Sequence, residues 1–212
     1  MSLLSSAVDI VRRHRRAYLA CNVGYYGLIL VGLAWAQLAT KTAEGLRSAV
    51  ESSLESGALA PVAGVYDRGD VLAAIGLTLA VNLIIGSLAS ITLPSLVLPF
   101  SGLAVAGFRA LVWGLLFSPA PAAITWGNVP EGAVIAGVLI LEGQGYVLTM
   151  LAAWIQGYGW TQPAKSGATT RGQGYRLGLG VTTRLYGLVA VTLAVAAVCE
   201  VVAATAILPG VR

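Results

Sequence analysis

One uninterrupted apolar stretch decides the fold, and residues 71–117 read VLAAIGLTLAVNLIIGSLASITLPSLVLPFSGLAVAGFRALVWGLLF. Its 47 residues include a single charged side chain, Arg109. A helix needs about 20 apolar residues to cross a bilayer, so the stretch has room for two crossings and a turn. Pro94 and Pro99 lack the backbone N–H that a helix interior uses, which places the turn within residues 92–100. This turn carries no charge, and we predict either a tight hairpin or a re-entrant segment that dips into the bilayer.

The composition of the whole chain has the same character. Of 212 residues, 57% are apolar, and only 13 Lys/Arg and 9 Asp/Glu are charged. Soluble domains carry about 25% charged residues, which they need to cover their surface. The high apolar content excludes intrinsic disorder, and two cysteines in apolar runs, Cys21 and Cys199, exclude a disulfide scaffold. We therefore predict an all-α, polytopic transmembrane helical bundle.

Apolar segments long enough to cross the membrane divide the chain into spans and connections. The five predicted spans are residues 17–38, 71–91, 97–117, 133–155 and 185–208. They form a single transmembrane domain, residues 17–208, flanked or interrupted by a basic N-terminal tail (1–16), an outer loop (39–70) and an inner loop (156–184). Leu46, Val50 and Leu54 recur at i+4 in the outer loop, which predicts an amphipathic helix there. The inner loop is rich in Gly, Thr and Gln, and we expect it to be flexible.

The basic residues predict the orientation of the spans. Eight of them fall in the tail and the inner loop: Arg12, Arg13, Arg15, Arg16, Lys165, Arg171, Arg176 and Arg184. Four fall on the other side of a five-span chain: Lys41, Arg47, Arg68 and Arg212. The excess of basic residues on cytoplasmic loops then predicts a multi-pass cell-membrane protein with a cytoplasmic N-terminus and an outside C-terminus. The formal charge of +4 is explained by these flanking residues, so we expect no nucleic-acid partner.

Polar side chains fall at similar depth on three consecutive spans. Asn82, Arg109 and Glu142 each lie near the middle of a span, where a charge costs about 2.5–3.5 kcal/mol. The economical arrangement is an ion pair between Arg109 and Glu142 with Asn82 beside it. Gln144, two residues after Glu142, is a further candidate member, although a regular helix points it elsewhere. The cluster is either a structural lock between helices or a site for an ion, a proton or a small polar substrate.

Small residues repeat every four positions along the third predicted span. The stripe consists of Gly102, Ala106, Ala110 and Gly114. Small residues at this spacing let two helix backbones approach closely. We predict close packing, either inside one bundle or across a homodimer face.

The catalytic inventory of the chain is poor. Its only histidine, His14, lies in the basic tail, which removes Ser-His and Cys-His nucleophiles from the spans. There is no cysteine pair at metal-ligand spacing and no Gly-rich phosphate loop followed by Lys. We expect no enzyme activity, no catalytic residues, no metal and no cofactor.

The stretch from Thr78 to Gly114 resembles the stage II sporulation protein M family of integral membrane proteins. Asn82 in an early apolar helix and Glu142 in a later one match the family's order of motifs over roughly residues 70–160. Ser101 takes the place of the family's usual Asn, and the Pro-His-Gly that commonly precedes the family's Glu is absent. The resemblance implies a non-enzymatic membrane subunit that acts by assembling with partners.

Two functions from different classes follow. The first is a non-catalytic scaffold or subunit of a membrane complex, in contact with lipid and with a protein partner or a second copy of the chain. The second is a small oligomeric transporter or channel that uses Asn82, Arg109 and Glu142, since discontinuous helices often mark transport sites. A water-filled path to the cluster would favour the second.

Overall fold

A computed structural model describes residues 3–57, 60–118 and 129–207, and these ranges are helical nearly throughout, with no strand among them. The α-helices are α1 Leu3–Arg13, α2 Arg15–Leu38, α3 Thr40–Ser56, α4 Ala60–Asp67, α5 Val71–Ala80, α6 Leu93–Val97, α7 Ser101–Phe117, α8 Val129–Thr161 and α9 Arg171–Val202. A π-helix, Val81–Thr92, joins α5 to α6, a 3₁₀ turn covers Pro163–Ser166, and a π-helical turn, Ala203–Ile207, follows α9. The predicted all-α bundle is confirmed.

The number of long apolar helices differs from the predicted number of spans. In the described part of the chain, four helices are long and apolar enough to cross a membrane: Arg15–Leu38, Val71–Val97, Gly132–Thr161 and Arg171–Thr205. Helix α7, in the third predicted span, has 17 residues, which at 1.5 Å per residue is about 25 Å, against a hydrocarbon core of about 30 Å. The protein is thus a membrane-embedded helical bundle with about four full-length spans and one shorter apolar helix.

Contacts between helix pairs fix their relative directions. Helix α7 is parallel to α2, because Gly107 lies against Leu28 near one end and Ser118 accepts a hydrogen bond from Gln37 (2.5 Å) at the other. Helix α9 is antiparallel to α8, because Gly159 lies against Gly174 whereas Gly145 lies against Leu193.

The remaining pairs complete an alternating arrangement. Helix α8 is antiparallel to α2, since Tyr18 hydrogen-bonds Gln144 whereas Tyr26, two turns later, hydrogen-bonds Ile140. The segment from α5 to α6 is antiparallel to α9: its Thr92 hydrogen-bonds Tyr186 and its Leu96 carbonyl accepts from Tyr175. Five apolar segments therefore run alternately up and down. We call the end at which α2 and α9 begin the basic end.

The connection between α6 and α7 is a tight turn. The helix continues past Thr92 and ends at Val97, so the break predicted over residues 92–100 shrinks to Leu98–Phe100. Pro94 lies inside this continuous helix, just after the π-helical turns give way to α-helical ones. Phe100 takes a left-handed conformation (φ 68°) that reverses the chain into α7.

The predicted inner loop is mostly helix. Helix α8 continues to Thr161 and α9 begins at Arg171, with the Thr170 hydroxyl accepting a hydrogen bond from the Gln173 backbone at its start. The glycines that predicted flexibility instead permit contact between helices: a Cβ on Gly178 would lie 2.7 Å from the Cα of Gln156. The last predicted span, 185–208, therefore starts well inside α9, and Leu208 lies outside the described residues.

The basic tail and the outer loop both contain helices that pack against the other helices of the bundle. The basic tail contains a helix, α1, whose Ala7 and Ile10 are buried against Leu151, Ile155 and Leu185. In the outer loop, α3 presents Ala43 and Leu46 to Ala36 and Leu115, as expected of an amphipathic helix. The side chains of Leu54 and Asp67 lie outside the described part of the chain.

The small-residue stripe of α7 is buried within the chain. Gly102, Ala106, Ala110 and Gly114 are all buried. A Cβ on Gly114 would lie 2.9 Å from the Cα of Gly32 in α2, and Gly102 lies against Ile91 and Ser95. These four residues are therefore packed against helices of the same chain.

Candidate functional site

The π-helix supplies the first side of a polar cluster between three helices. Asn82, Gly86 and Ser90 lie at four-residue spacing along it. The Ser90 hydroxyl donates to the Gly86 carbonyl at 2.5 Å. Gly86 is also the point of closest approach to α8, since a Cβ there would lie 2.8 Å from the hydroxyl oxygen of Tyr146. The absence of a side chain at Gly86 lets Tyr146 reach the π-helix.

Helix α7 brings Arg109 to this surface. Its Nη1 donates to the Gly86 carbonyl (2.7 Å) and to Ser90 Oγ (2.9 Å). Its Nη2 donates to the hydroxyl of Tyr146 at 3.2 Å. The guanidinium carbon also lies 4.6 Å from the centre of the Tyr146 ring, a distance at which a cation is attracted to an aromatic face. Arg109 therefore has partners on both neighbouring helices.

Helix α8 contributes the acidic group. Glu142 is 6% exposed and Tyr146 is 2% exposed, and the two are one helical turn apart. The Tyr146 hydroxyl donates to Glu142 Oε1 at 2.8 Å and lies 3.1 Å from Asn82 Oδ1. In the described part of the chain, Arg109 and Glu142 make no direct ion pair. One phenol hydroxyl instead joins the cation to the carboxylate, in place of the direct pair expected from the sequence.

A proton count refines this arrangement. A tyrosine hydroxyl has one proton, so it cannot donate to both Glu142 and Asn82. The shorter contact and the charged acceptor assign the proton to Glu142. Asn82 completes the site with its Oδ1 3.1 Å from the Tyr146 hydroxyl oxygen, as the weaker of the two contacts. The order of donation is Arg109 to Tyr146 to Glu142.

Gln144 belongs to a second polar cluster, between α2 and α8. Its Oε1 accepts from the Tyr18 hydroxyl at 2.6 Å. Its Nε2 donates to Asn22 Oδ1 and to the Tyr26 hydroxyl, both at 2.8 Å. The amide is thus hydrogen-bonded at both ends, and Gln144 does not join Asn82, Arg109 and Glu142.

Sequence reasoning missed Tyr146. Its signal was present: Glu142 and Tyr146 are at i and i+4 on α8, so they share a face. Ser90 and Gly86 had a weaker signal, because a regular helix and a π-helix place different residues toward α7.

The chemistry of the cluster is that of a neutralised, buried hydrogen-bond chain. One cation and one carboxylate are linked through a neutral hydroxyl, an arrangement that can hold helices together or relay a proton. Within the described residues, no group of three His, Cys, Asp or Glu side chains is placed to hold a metal ion. A cavity of about 250 Å³ lies at the basic end, and Asn82, Arg109, Glu142 and Tyr146 are not among the residues that line it.

No protein-family model, curated protein or solved structure matches this chain. The function is therefore argued from the geometry of the chain itself.

Proposed function

We propose that this protein is a non-catalytic integral membrane protein that acts as a scaffold or subunit of a membrane protein complex. The observation that carries the proposal is the internal satisfaction of the polar cluster. Arg109 makes three hydrogen bonds, all to groups of its own chain. Glu142 is 6% exposed and accepts from Tyr146.

A cluster so occupied favours a structural role. Interhelical hydrogen bonds fix the register of packed membrane helices, and this cluster connects the π-helix, α7 and α8. A second lock, around Gln144, connects α2 and α8. A bundle fixed on two faces of α8 keeps its outer surface in one shape, which is what a scaffold offers its partners. The resemblance to the stage II sporulation protein M family supports the same class of function.

The proposal includes the orientation in the membrane. We place the basic end in the cytoplasm, with α7 as a short fifth crossing. The alternating directions of the five apolar segments agree with an odd number of crossings. Helices α1 and α3 then lie at opposite faces of the membrane.

A transporter or channel is the second candidate, and the π-helix favours it. Wide helical turns occur frequently at functional sites, and here one supplies the Gly86 carbonyl to Arg109. In this role Glu142 would take up and release a proton, or Arg109 and Glu142 would orient a small polar substrate.

The two candidate functions predict different results for a variant that folds but has no charged side chain in the polar cluster. Combining Glu142→Gln with Arg109→Met removes both charges and leaves Tyr146 an amide acceptor. In the scaffold role, the tagged wild-type chain recovered from its own membranes runs as an assembly larger than the 21.7 kDa chain. The folded double variant assembles equally well, and vesicles that contain the purified wild type are no leakier than empty ones.

Other outcomes contradict the scaffold. If the wild type is recovered as the bare chain, it does not act as a subunit of a complex. Transport by wild-type vesicles that the folded double variant loses would establish the second candidate instead.

A further inference from the structure

A cavity at the basic end has the features of a ligand site. It has a volume of about 250 Å³ and lies between α6, the turn after it, α8 and α9. Its lining residues are Ser95, Leu96, Val97, Pro99, Gln156, Gly157, Trp160 and Tyr175. Binding pockets for small molecules begin at about 300 Å³ and combine apolar walls with a few placed polar groups, so this cavity suits a small ligand.

Gln156 is the polar group that points to a ligand. Its side chain is 0% exposed, and neither Nε2 nor Oε1 has a hydrogen-bond partner among the residues that the structure describes. Burying an amide without partners costs free energy, whereas the half-buried amide of Gln144 is bonded at both ends. Both amide atoms are enclosed by protein, so the side chain must turn toward the cavity, where a neutral group with one donor and one acceptor would satisfy both ends of Gln156 at once.

The walls suit a flat apolar body. The rings of Trp160 and Tyr175 meet edge to face, with centroids 5.8 Å apart. The Tyr175 hydroxyl is tied to the Leu96 carbonyl at 3.3 Å, which fixes its ring as a wall. Aromatic rings favour stacked or edge-on contact with other flat groups.

The lining also excludes charge. None of the eight lining residues is Asp, Glu, His, Lys or Arg. A charged ligand would be desolvated there without a counter-ion. Ser95 Oγ accepts from the Gly102 backbone at 2.8 Å, which leaves its own proton as one further donor.

We infer that this cavity binds a small neutral molecule with a carboxamide-like donor–acceptor pair on an aromatic or apolar body, and that Gln156 recognises the pair. The ring of the ligand lies against the walls formed by Trp160 and Tyr175. The inference is independent of the scaffold proposal, since it concerns a different part of the bundle.

Three probes of similar shape test the recognition on the full chain in detergent micelles. Benzamide has the donor–acceptor pair, toluene has neither, and benzoate at pH 8 has a charge and no donor. Saturable binding, followed by calorimetry and corrected against protein-free micelles, should be tightest for benzamide. Gln156→Met keeps the side-chain length and removes both polar atoms. It should weaken benzamide at least tenfold and leave toluene unchanged or tighter.

Gln162→Met is the matched control, because Gln162 is exposed just after α8, and it should change none of the three affinities. Trp160→Leu, at a position 38% exposed, should weaken both benzamide and toluene, and it tests the cavity even where Gln156→Met does not fold. The inference is overturned if the wild type shows no saturable benzamide binding, if Gln156→Met binds benzamide as the wild type does, or if Trp160→Leu leaves both affinities unchanged.

Discussion

Tyr146 has the most consequential side chain in the polar cluster, because it separates two charges that would otherwise meet. Its ring packs beside Tyr25, with centroids 6.2 Å apart, while its hydroxyl contacts Arg109, Glu142 and Asn82. Removing the hydroxyl would leave the carboxylate of Glu142 without its only recorded hydrogen-bond donor among the described residues. Removing this hydroxyl should therefore cost more stability than removing a hydroxyl that bonds only neutral groups.

We expect Tyr146→Phe to lower the free energy of unfolding by about 2–3 kcal/mol, because it leaves a buried charged acceptor unpaired. Unfolding by dodecyl sulfate from mild-detergent micelles measures the change. Tyr25→Phe is the matched control: Tyr25 is in the same ring cluster, and no hydrogen bond of its hydroxyl is recorded in the described structure. Equal losses for the two variants would show that the hydroxyl bridge contributes nothing.

The charges of the cluster should be coupled. Glu142→Gln leaves Arg109 uncompensated in a buried site and should cost about 3–5 kcal/mol. Adding Arg109→Met should recover most of this loss, since Ser90 still donates to the Gly86 carbonyl and Tyr146 retains an acceptor. The same unfolding assay on both single variants and the double variant gives the coupling energy. Additive losses would mean that the two charges do not sense each other.

At this scale the sequence predicted the members of the cluster better than their contacts. The similar depth of Asn82, Arg109 and Glu142 within apolar stretches was enough to predict that they lie near one another. The bridging role of Tyr146 depends on how α8 rotates against the π-helix, and no apolar pattern encodes that rotation. The unpartnered amide of Gln156 was equally invisible, because hydrogen-bond partners are a property of the packed helices.

At the level of elements, glycine decides which helices touch. Gly32 and Gly114 bring α2 and α7 into backbone contact, and Gly159 and Gly174 do so for α8 and α9. In the last pair, composition suggested a flexible loop because Gly is common in loops. The sequence could not distinguish the two cases, since a glycine at a close contact and a glycine in a turn read alike.

Gly114→Ala should therefore destabilise the bundle by about 1–3 kcal/mol, the usual cost of overpacking. The atoms that its Cβ would meet belong to the backbone of α2, which cannot move aside as a side chain can. Gly24→Ala in α2 is the control, because a Cβ there has nothing within 4 Å, and it should be neutral or stabilising by helix propensity. Thermal unfolding in micelles compares the two, and a loss at Gly24 as large as at Gly114 would refute the contact argument.

For the whole molecule, the basic end and the opposite end should lie on different sides of the membrane. Ala164→Cys and Ser52→Cys place exposed thiols at these two ends, in a background with Cys21 and Cys199 replaced by Ala. A membrane-impermeant maleimide on intact cells should label the second and spare the first until the cells are opened. Labelling of Ala164→Cys alone in intact cells would mean that the orientation is the reverse of the proposed one. Labelling of both would mean that the two ends are not on opposite sides of the membrane.

The length of α7 has a consequence for the lipid around it. Phe108, halfway along this helix, is 66% exposed, so one flank of α7 faces the acyl chains. An apolar column of about 25 Å in a layer of about 30 Å is a hydrophobic mismatch, which the bilayer relieves by thinning locally. The protein should therefore collect in thinner regions of its membrane. It should deform the bilayer only beside α7. That dimple would draw together other proteins with short spans, without any direct contact between them.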